Sequence, residues 1–164
     1  MLAPVFITEG FAVASALARE DYAMAARLGF KTIVSLLPDG EKPDALASAQ
    51  AMQAAAQAGL AFAYVPAAAF EVFADEPVSA LRRVLGEAAG PVLATCFSGQ
   101  RAAIVWAAAT ARTCPVNSVL ASLEHAGFDF AFLRDDLEAQ AHRPAWEPPS
   151  THRPTENAQA HAAP

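Results

Sequence analysis

Cysteine is scarce in this chain: two residues in 164, Cys96 and Cys114, leave no disulfide framework to hold it together. A reducing compartment suits such a pair. Basic residues are also few, eleven Lys and Arg against seventeen Asp and Glu, for a formal net charge of −6. With a pI near 5.1, that balance excludes a nucleic-acid backbone or an anionic membrane as the main partner. No uninterrupted apolar run reaches the roughly 18 residues of a membrane-spanning helix. Met1 to Phe6 has neither the basic start nor the apolar stretch of a secretory leader. Of the four histidines, His142, His152 and His161 lie near the C-terminus at spacings that match no metal site, and His125 closes a helix. A soluble, cytoplasmic protein without metal or cofactor is the expectation.

What the chain has is apolar residues, 54% of the total and rich in alanine, enough for a full core without a staple. One stretch organises it: Pro91-Val-Leu-Ala-Thr-Cys96-Phe-Ser-Gly-Gln-Arg101. Pro91 to Ala94 reads as a buried strand and Arg101 to Ala111 as a helix, with Gly99 as the turn-former between them. A cysteine leaving a strand and an arginine opening a helix make an anion cradle. Loop N–H groups and the helix N-terminus converge there, and the arginine adds a planar double donor. The same field suits a thiolate nucleophile at Cys96. An inert strand-end cysteine beside a surface arginine is the plainer reading, and the Gly-containing loop between strand and helix argues against it.

Elsewhere, Pro4 to Thr8 and Phe11 to Ala14 read as short strands, a hairpin or a strand with an edge partner, parted by Glu9-Gly10. Helices are expected over Ser15 to Leu28, Asp44 to Ala58, Val78 to Ala88, Asn117 to Ala126 and Phe132 to Gln140. Strands are expected over Lys31 to Leu37 and Leu60 to Pro66. Strands alternating with helices of about a dozen residues predict an α/β fold with a mainly parallel central sheet and helices on both faces. In such sheets the ligand crevice lies beyond the carboxyl ends of the strands. The turn at Asp39-Gly40-Glu41, the loop Ala67 to Glu76 and the segment Cys96 to Arg101 should therefore share one rim. The domain runs to about residue 140; residues 141–164, rich in Pro, His and Ala, read as a disordered tail.

Several motifs together carry a family resemblance. They are Gly29-Phe-Lys-Thr-Ile-Val, Pro38-Asp-Gly-Glu41, Ala58-Gly-Leu-Ala-Phe-Ala-Tyr64-Val-Pro66, Gly90-Pro-Val-Leu-Ala, Cys96-x-Ser98-Gly99-x-Arg101 and Ala126-Gly-Phe-Asp129. In this order they resemble the bacterial beta-lactamase-hydrolase-like, dual-specificity-phosphatase-like proteins over roughly Thr8 to Leu137. The resemblance implies a protein-tyrosine-phosphatase-like fold of the dual-specificity type, with Cys96 as nucleophile and Arg101 as the oxyanion-binding side chain. Phe97, Ser98, Gly99 and Gln100 would form the anion-binding loop. The chain departs from the usual tyrosine-phosphatase signature in having Thr95 before the cysteine, a spacer one residue shorter, and Ala102 after the arginine. Phe97 and Leu37 stand where the family often has arginines. The Cys-x4-Arg loop also resembles that of the rhodanese sulfurtransferases.

On the phosphatase reading, the thiolate attacks phosphorus while Arg101 and loop N–H groups hold the oxygens, and an acid protonates the leaving oxygen. The resemblance puts that acid on the loop after the preceding strand, among Glu71, Asp75 and Glu76, with Asp75 preferred and Asp39 an outside candidate. Ser98 is open to three roles: donor to the anion, donor to sulfur, or partner of the loop backbone. Cys114 is read as a small buried residue, or as a resolving thiol for Cys96. Phe70, Phe73 and Phe97 line a pocket or pack a loop on the core, and Trp106 reads as core. The partner is a phosphoester or phosphoprotein, or a sulfur donor for a Cys96 persulfide; a non-catalytic anion-binding module is the third alternative. Nothing in the sequence sets an oligomeric state.

Overall fold

The computed structural model describes residues 1–143. Five strands form one sheet: β1 (Val5–Thr8), β2 (Phe11–Ser15), β3 (Thr32–Ser35), β4 (Ala61–Tyr64) and β5 (Val92–Cys96). Their order is β1-β2-β5-β3-β4; β1 is antiparallel to β2 and every other pairing is parallel. The first two strands are thus a hairpin turned at Glu9-Gly10. Six helices complete the fold: α1 (Arg19–Arg27), α2 (Ser48–Gln57), α3 (Asp75–Glu87), α4 (Gln100–Ala111), α5 (Val116–His125) and α6 (Arg134–Ala141).

Alternation along the strands divides the core into two layers. Phe11, Val13, Val34, Val92, Ala94 and Cys96 face the layer that also holds residues of α3 to α6. Ala12, Ala14, Ile33 and Leu93 face the layer that contains Tyr22 and Ala25 of α1 and Ala51, Ala54 and Ala55 of α2. Alanine is frequent because it lets α4 lie close on the sheet: eight of its residues are buried. Trp106 on that helix stacks on Phe11 at 5.7 Å between ring centroids, in the core as expected. Burial of each such large side chain contributes roughly 1.5–3 kcal/mol.

The expected elements are present, with shifted ends. Ser15 is the last residue of β2 and pairs with Cys96, so α1 starts four residues later than the sequence reading placed it. β5 runs on through Thr95 and Cys96, because Ser35 and Ala14 flank Thr95 in register. α3 begins at Asp75 rather than Val78. α2 begins at Ser48 rather than Asp44, because Asp39 caps it from the preceding loop: its carboxylate accepts the Ser48 N–H (2.7 Å) and hydroxyl (2.7 Å). Among the described residues no helix is long and apolar enough to cross a membrane. Of the expected tail, residues 141–143 are described and Ala141 closes α6; the rest, with His152 and His161, lies outside the described residues.

Candidate active site

β5 is the central strand, and Cys96 is its last residue. The loop Phe97 to Gly99 then turns directly into α4. Gly99 adopts φ +92 at the helix N-cap, a conformation that an L side chain rarely takes. A Cβ there would also stand 3.4 Å from the carbonyl carbon of Ala14. With the turn so made, the Gly99 N–H donates to Cys96 Sγ at 3.0 Å, a bond that strengthens as the sulfur gains negative charge. Cys96 is 0% exposed. Thr95, where tyrosine phosphatases place histidine, turns its hydroxyl to the Val34 carbonyl (3.4 Å) and takes no part in the loop.

Arg101 stands in the first turn of α4, its side chain 13% exposed. Its guanidinium is clamped end-on by Glu41: Nη2 donates to Oε1 at 2.6 Å and Nη1 to Oε2 at 3.1 Å. Nη1 also donates to the Ala67 carbonyl at 3.0 Å. These three bonds leave Nε and the second Nη2 hydrogen without partners among the described residues. Both lie on the same edge of the plane, the fork that suits two oxygens of a bound oxyanion. The sequence reading placed Glu41 on this rim, in the turn Asp39-Gly40-Glu41, but gave it no role. The available signal was a carboxylate two residues past Asp39, on the rim shared with Arg101.

The three carboxyl-end loops do gather, through Glu41, Ala67 and Arg101. The acid is a different matter. Asp75 is ion-paired with Arg112 (2.8 Å) and Arg143 (2.6 Å). The Arg143 hydrogen bond, aided by the Arg143 charge and by the hydrogen bond and charge of Arg112, holds its carboxyl below the usual range against the opposing effect of desolvation. A group so held resists carrying a proton. Arg112 caps the far end of α4, roughly 16 Å along the helix from Arg101. The expectation that Asp75 is the acid is therefore corrected: it joins α3, α4 and the end of α6. Asp39 is likewise occupied, capping α2 while its N–H donates to the Tyr64 hydroxyl at 2.9 Å. Glu76 is exposed in the first turn of α3.

Glu71 remains. Its Oε2 accepts the Ala68 N–H at 2.8 Å, and Ala68 follows the residue whose carbonyl touches Arg101. Those links put the Glu71 carboxylate no more than about 8 Å from Nη1, with Oε1 unpartnered among the described residues.

Cys114 is exposed just beyond α4, which overturns the buried reading. The helix also separates it from Cys96 far beyond the roughly 7 Å between Cα atoms that a disulfide allows. Phe73 packs partly buried against the core, while Phe70 and Phe97 stand out in solvent at 88% and 50% exposure. Ser98 and Gln100 are exposed and Ala102 is buried. Among the described residues no cluster of three or more His, Cys, Asp or Glu could hold a metal.

A mainly parallel sheet whose central strand ends in a Cys-x4-Arg loop at a helix N-terminus fits a protein-tyrosine-phosphatase-like domain. In a comparison of folds, this chain superposes with a TM-score of 0.71 on the crystal structure of a candidate phosphatase from Neisseria meningitidis, 29% identical, covering 83% of this chain and 96% of that one. Tk-PTP in its active form superposes at a TM-score of 0.66 and 20% identity, over 85% of this chain and 97% of that one; at that identity the likeness is of fold. The chain belongs to the family described as beta-lactamase hydrolase-like protein, phosphatase-like domain, which it matches over residues 5–113. Beta-lactamase hydrolase-like proteins of Xylella fastidiosa (strain Temecula1) and Agrobacterium fabrum are each 32% identical to it, over 63% and 60% of this chain. This chain spans only 24% and 22% of their lengths. The fold and family expected from the sequence are thus shown.

Proposed function

We propose that this domain is a cysteine-dependent phosphatase that hydrolyses a phosphomonoester at Cys96. The observation that carries the reading is the pairing of the Gly99 N–H on Cys96 Sγ with the unpartnered Nε/Nη2 edge of Arg101. In the first step the thiolate attacks phosphorus, the S–P bond forms and the P–O bond to the leaving group breaks. Arg101 and the loop N–H groups hold the oxygens of the transferring group. Glu71, through Oε1, gives its proton to the departing oxygen. Water then attacks phosphorus as Glu71 takes up one of its protons, which releases inorganic phosphate and restores the thiolate. Ala102 leaves the second step without the hydroxyl that assists the sulfur as a leaving group, so decay of the phosphocysteine is expected to limit turnover.

A second reading is favoured by two observations: the spacer of four residues between Cys96 and Arg101, and the engagement of both Asp39 and Asp75 elsewhere. Sulfur transfer through a Cys96 persulfide needs no acid for an oxygen leaving group. The test is a paired assay on wild type and Cys96→Ser, following p-nitrophenyl phosphate hydrolysis in one arm and thiocyanate formation from thiosulfate and cyanide in the other. Phosphate release that vanishes in Cys96→Ser supports the first reading. Thiocyanate alone transfers the domain to the second. Neither product, with anion binding that depends on Arg101, leaves a non-catalytic anion-binding module.

A further inference from the structure

Gln140 on α6 is 2% exposed, a long polar side chain taken out of water. Ordering and burying such a group is costly unless both ends of its amide find partners, and both do. Oε1 accepts from Arg112 Nε at 3.2 Å and from Arg112 Nη2 at 3.0 Å. Nε2 donates to the Phe73 carbonyl at 2.9 Å. A guanidinium only donates and a carbonyl only accepts, so the amide has one orientation. Arg112 is itself buried, its side chain 3% exposed, and donates further to Ser79 Oγ at 3.1 Å and to Asp75. The Gln140 amide thus stands on a base fixed to α3 and α4, with its donor aimed at a loop.

That loop carries Glu71. It leaves the sheet after β4 and is tied at both ends. At its start the Ala67 N–H donates to the Leu36 carbonyl at 3.0 Å, and the Ala67 carbonyl accepts from Arg101. At its end the Phe73 carbonyl takes the Gln140 bond and a longer one, 3.4 Å, from Arg143. Between these ties two tight turns meet at Glu71: its N–H donates to the Ala68 carbonyl and its carbonyl accepts the Ala74 N–H, each at 2.9 Å. Phe73 lies inside the second turn, so a bond to its carbonyl steadies the backbone from which Glu71 projects. Phe70 is exposed, and Val72 and Phe73 are only half-buried. Apolar packing alone therefore holds this loop weakly, and the bonds at its ends carry more of the work.

We propose that Gln140, seated on Arg112, is a positioning residue for the general acid: its bond to the Phe73 carbonyl sets the place of the Glu71 carboxyl for proton transfer. Gln140 lies beyond residues 5–113, the part matched to the family. The C-terminal helix then serves the reaction through the loop, without touching substrate. The proposal rests on the reading of Glu71 as the acid.

The test compares kcat/KM for phenyl phosphate and p-nitrophenyl phosphate, because only the first has a leaving group that needs the acid. In Gln140→Glu the introduced carboxylate still accepts from Arg112 but has no hydrogen for the Phe73 carbonyl. This variant should lose about tenfold on phenyl phosphate relative to p-nitrophenyl phosphate, less than the roughly hundredfold loss in Glu71→Gln. In the double variant the ratio should fall no further than in Glu71→Gln alone, since a misplaced acid and a missing one act on the same step. Urea melts check that each variant folds. Gln140→Asn, an amide too short to span both partners, is read by the same ratio where Gln140→Glu does not fold. Equal losses on the two esters, or none, with Glu71→Gln still selective, overturn the proposal and leave Gln140 a stabiliser of α6. A further fall in the double variant overturns it as well. Loss of selectivity in Glu71→Gln itself overturns the acid reading, and the proposal with it.

Discussion

Glu41 and Arg101 are 60 residues apart, and their contact makes a quantitative test of the site. Two effects of removing Glu41 oppose one another. Without its two acceptors, Arg101 keeps only the Ala67 carbonyl and regains rotamer freedom, of which an arginine has about 2 kcal/mol in full. Losing most of that preorganisation weakens anion binding by about 1.5–2 kcal/mol, or ten- to thirtyfold. Against it, deleting a negative charge at about 6 Å from the anion favours binding by roughly 0.7–1.4 kcal/mol at an effective dielectric between 40 and 80. Salt screens only this second effect. Glu41→Gln and Glu41→Ala separate the two, because both remove the charge and only the first keeps an acceptor. At about 0.5 M salt, where the Debye length is only a few ångströms, phosphate binding to Glu41→Ala should be about tenfold weaker than wild type. Glu41→Gln should lie within about threefold. Calorimetry with inorganic phosphate in the Cys96→Ser background reads the constants, and kcat/KM on p-nitrophenyl phosphate provides the kinetic counterpart. Tighter binding by both variants to a similar degree would refute the reasoning and make Glu41 a competitor for the anion site.

Glu71→Gln should lower kcat/KM for phenyl phosphate by about a hundredfold while barely changing that for p-nitrophenyl phosphate, whose leaving group needs no proton; equal losses in kcat/KM would remove Glu71 as the acid. Asp75→Asn should leave kcat unchanged but destabilise the fold by about 1–2 kcal/mol in urea, a modest loss because the aspartate is half-exposed although Arg112 is buried. Since the Asp75 carboxyl is held below its ordinary value, its stabilisation is full above the unfolded carboxyl range and fades as pH falls through the folded value; the variant should show less acid sensitivity. Burial, with the neighbouring Asp21 charge, pushes the Tyr22 hydroxyl from 10.0 to about 12. Stability should thus be lost as pH rises from about 10 to about 12, by about 3 kcal/mol in total, and Tyr22→Phe should suppress that part of the alkaline melt. Gly99→Ala should cost about 1–3 kcal/mol through its positive φ and its approach to Ala14, with activity falling more steeply than stability in paired melts and assays.

Much of this protein is written locally in its sequence. The β-branched and apolar runs at Thr32–Ser35 and Val92–Cys96 define strands. Gly29, Gly59 and Gly127 mark helix ends, and Cys96, Gly99 and Arg101 define the loop, because each signal depends on residues within a few positions of one another. The alternation of strands and helices is equally local, and it places three loops on one rim. What occupies those loops was decided only by the fold. Whether a carboxylate serves as an acid or a structural anchor depends on which arginine reaches it from a distant part of the chain. Asp75 met Arg112 and Arg143, Asp39 met Ser48, and Glu41 met Arg101. Helix starts shifted for the same reason: Asp39 caps α2 from nine residues before Ser48, and pairing with Cys96 keeps Ser15 in β2. The sequence by itself determined the elements, the sheet class and the Cys-x4-Arg loop, all products of short-range backbone preference and hydrophobic period. Only the tertiary structure decided the partners of each charge, because a salt bridge is set by distance in space and the chain carries no local mark of it.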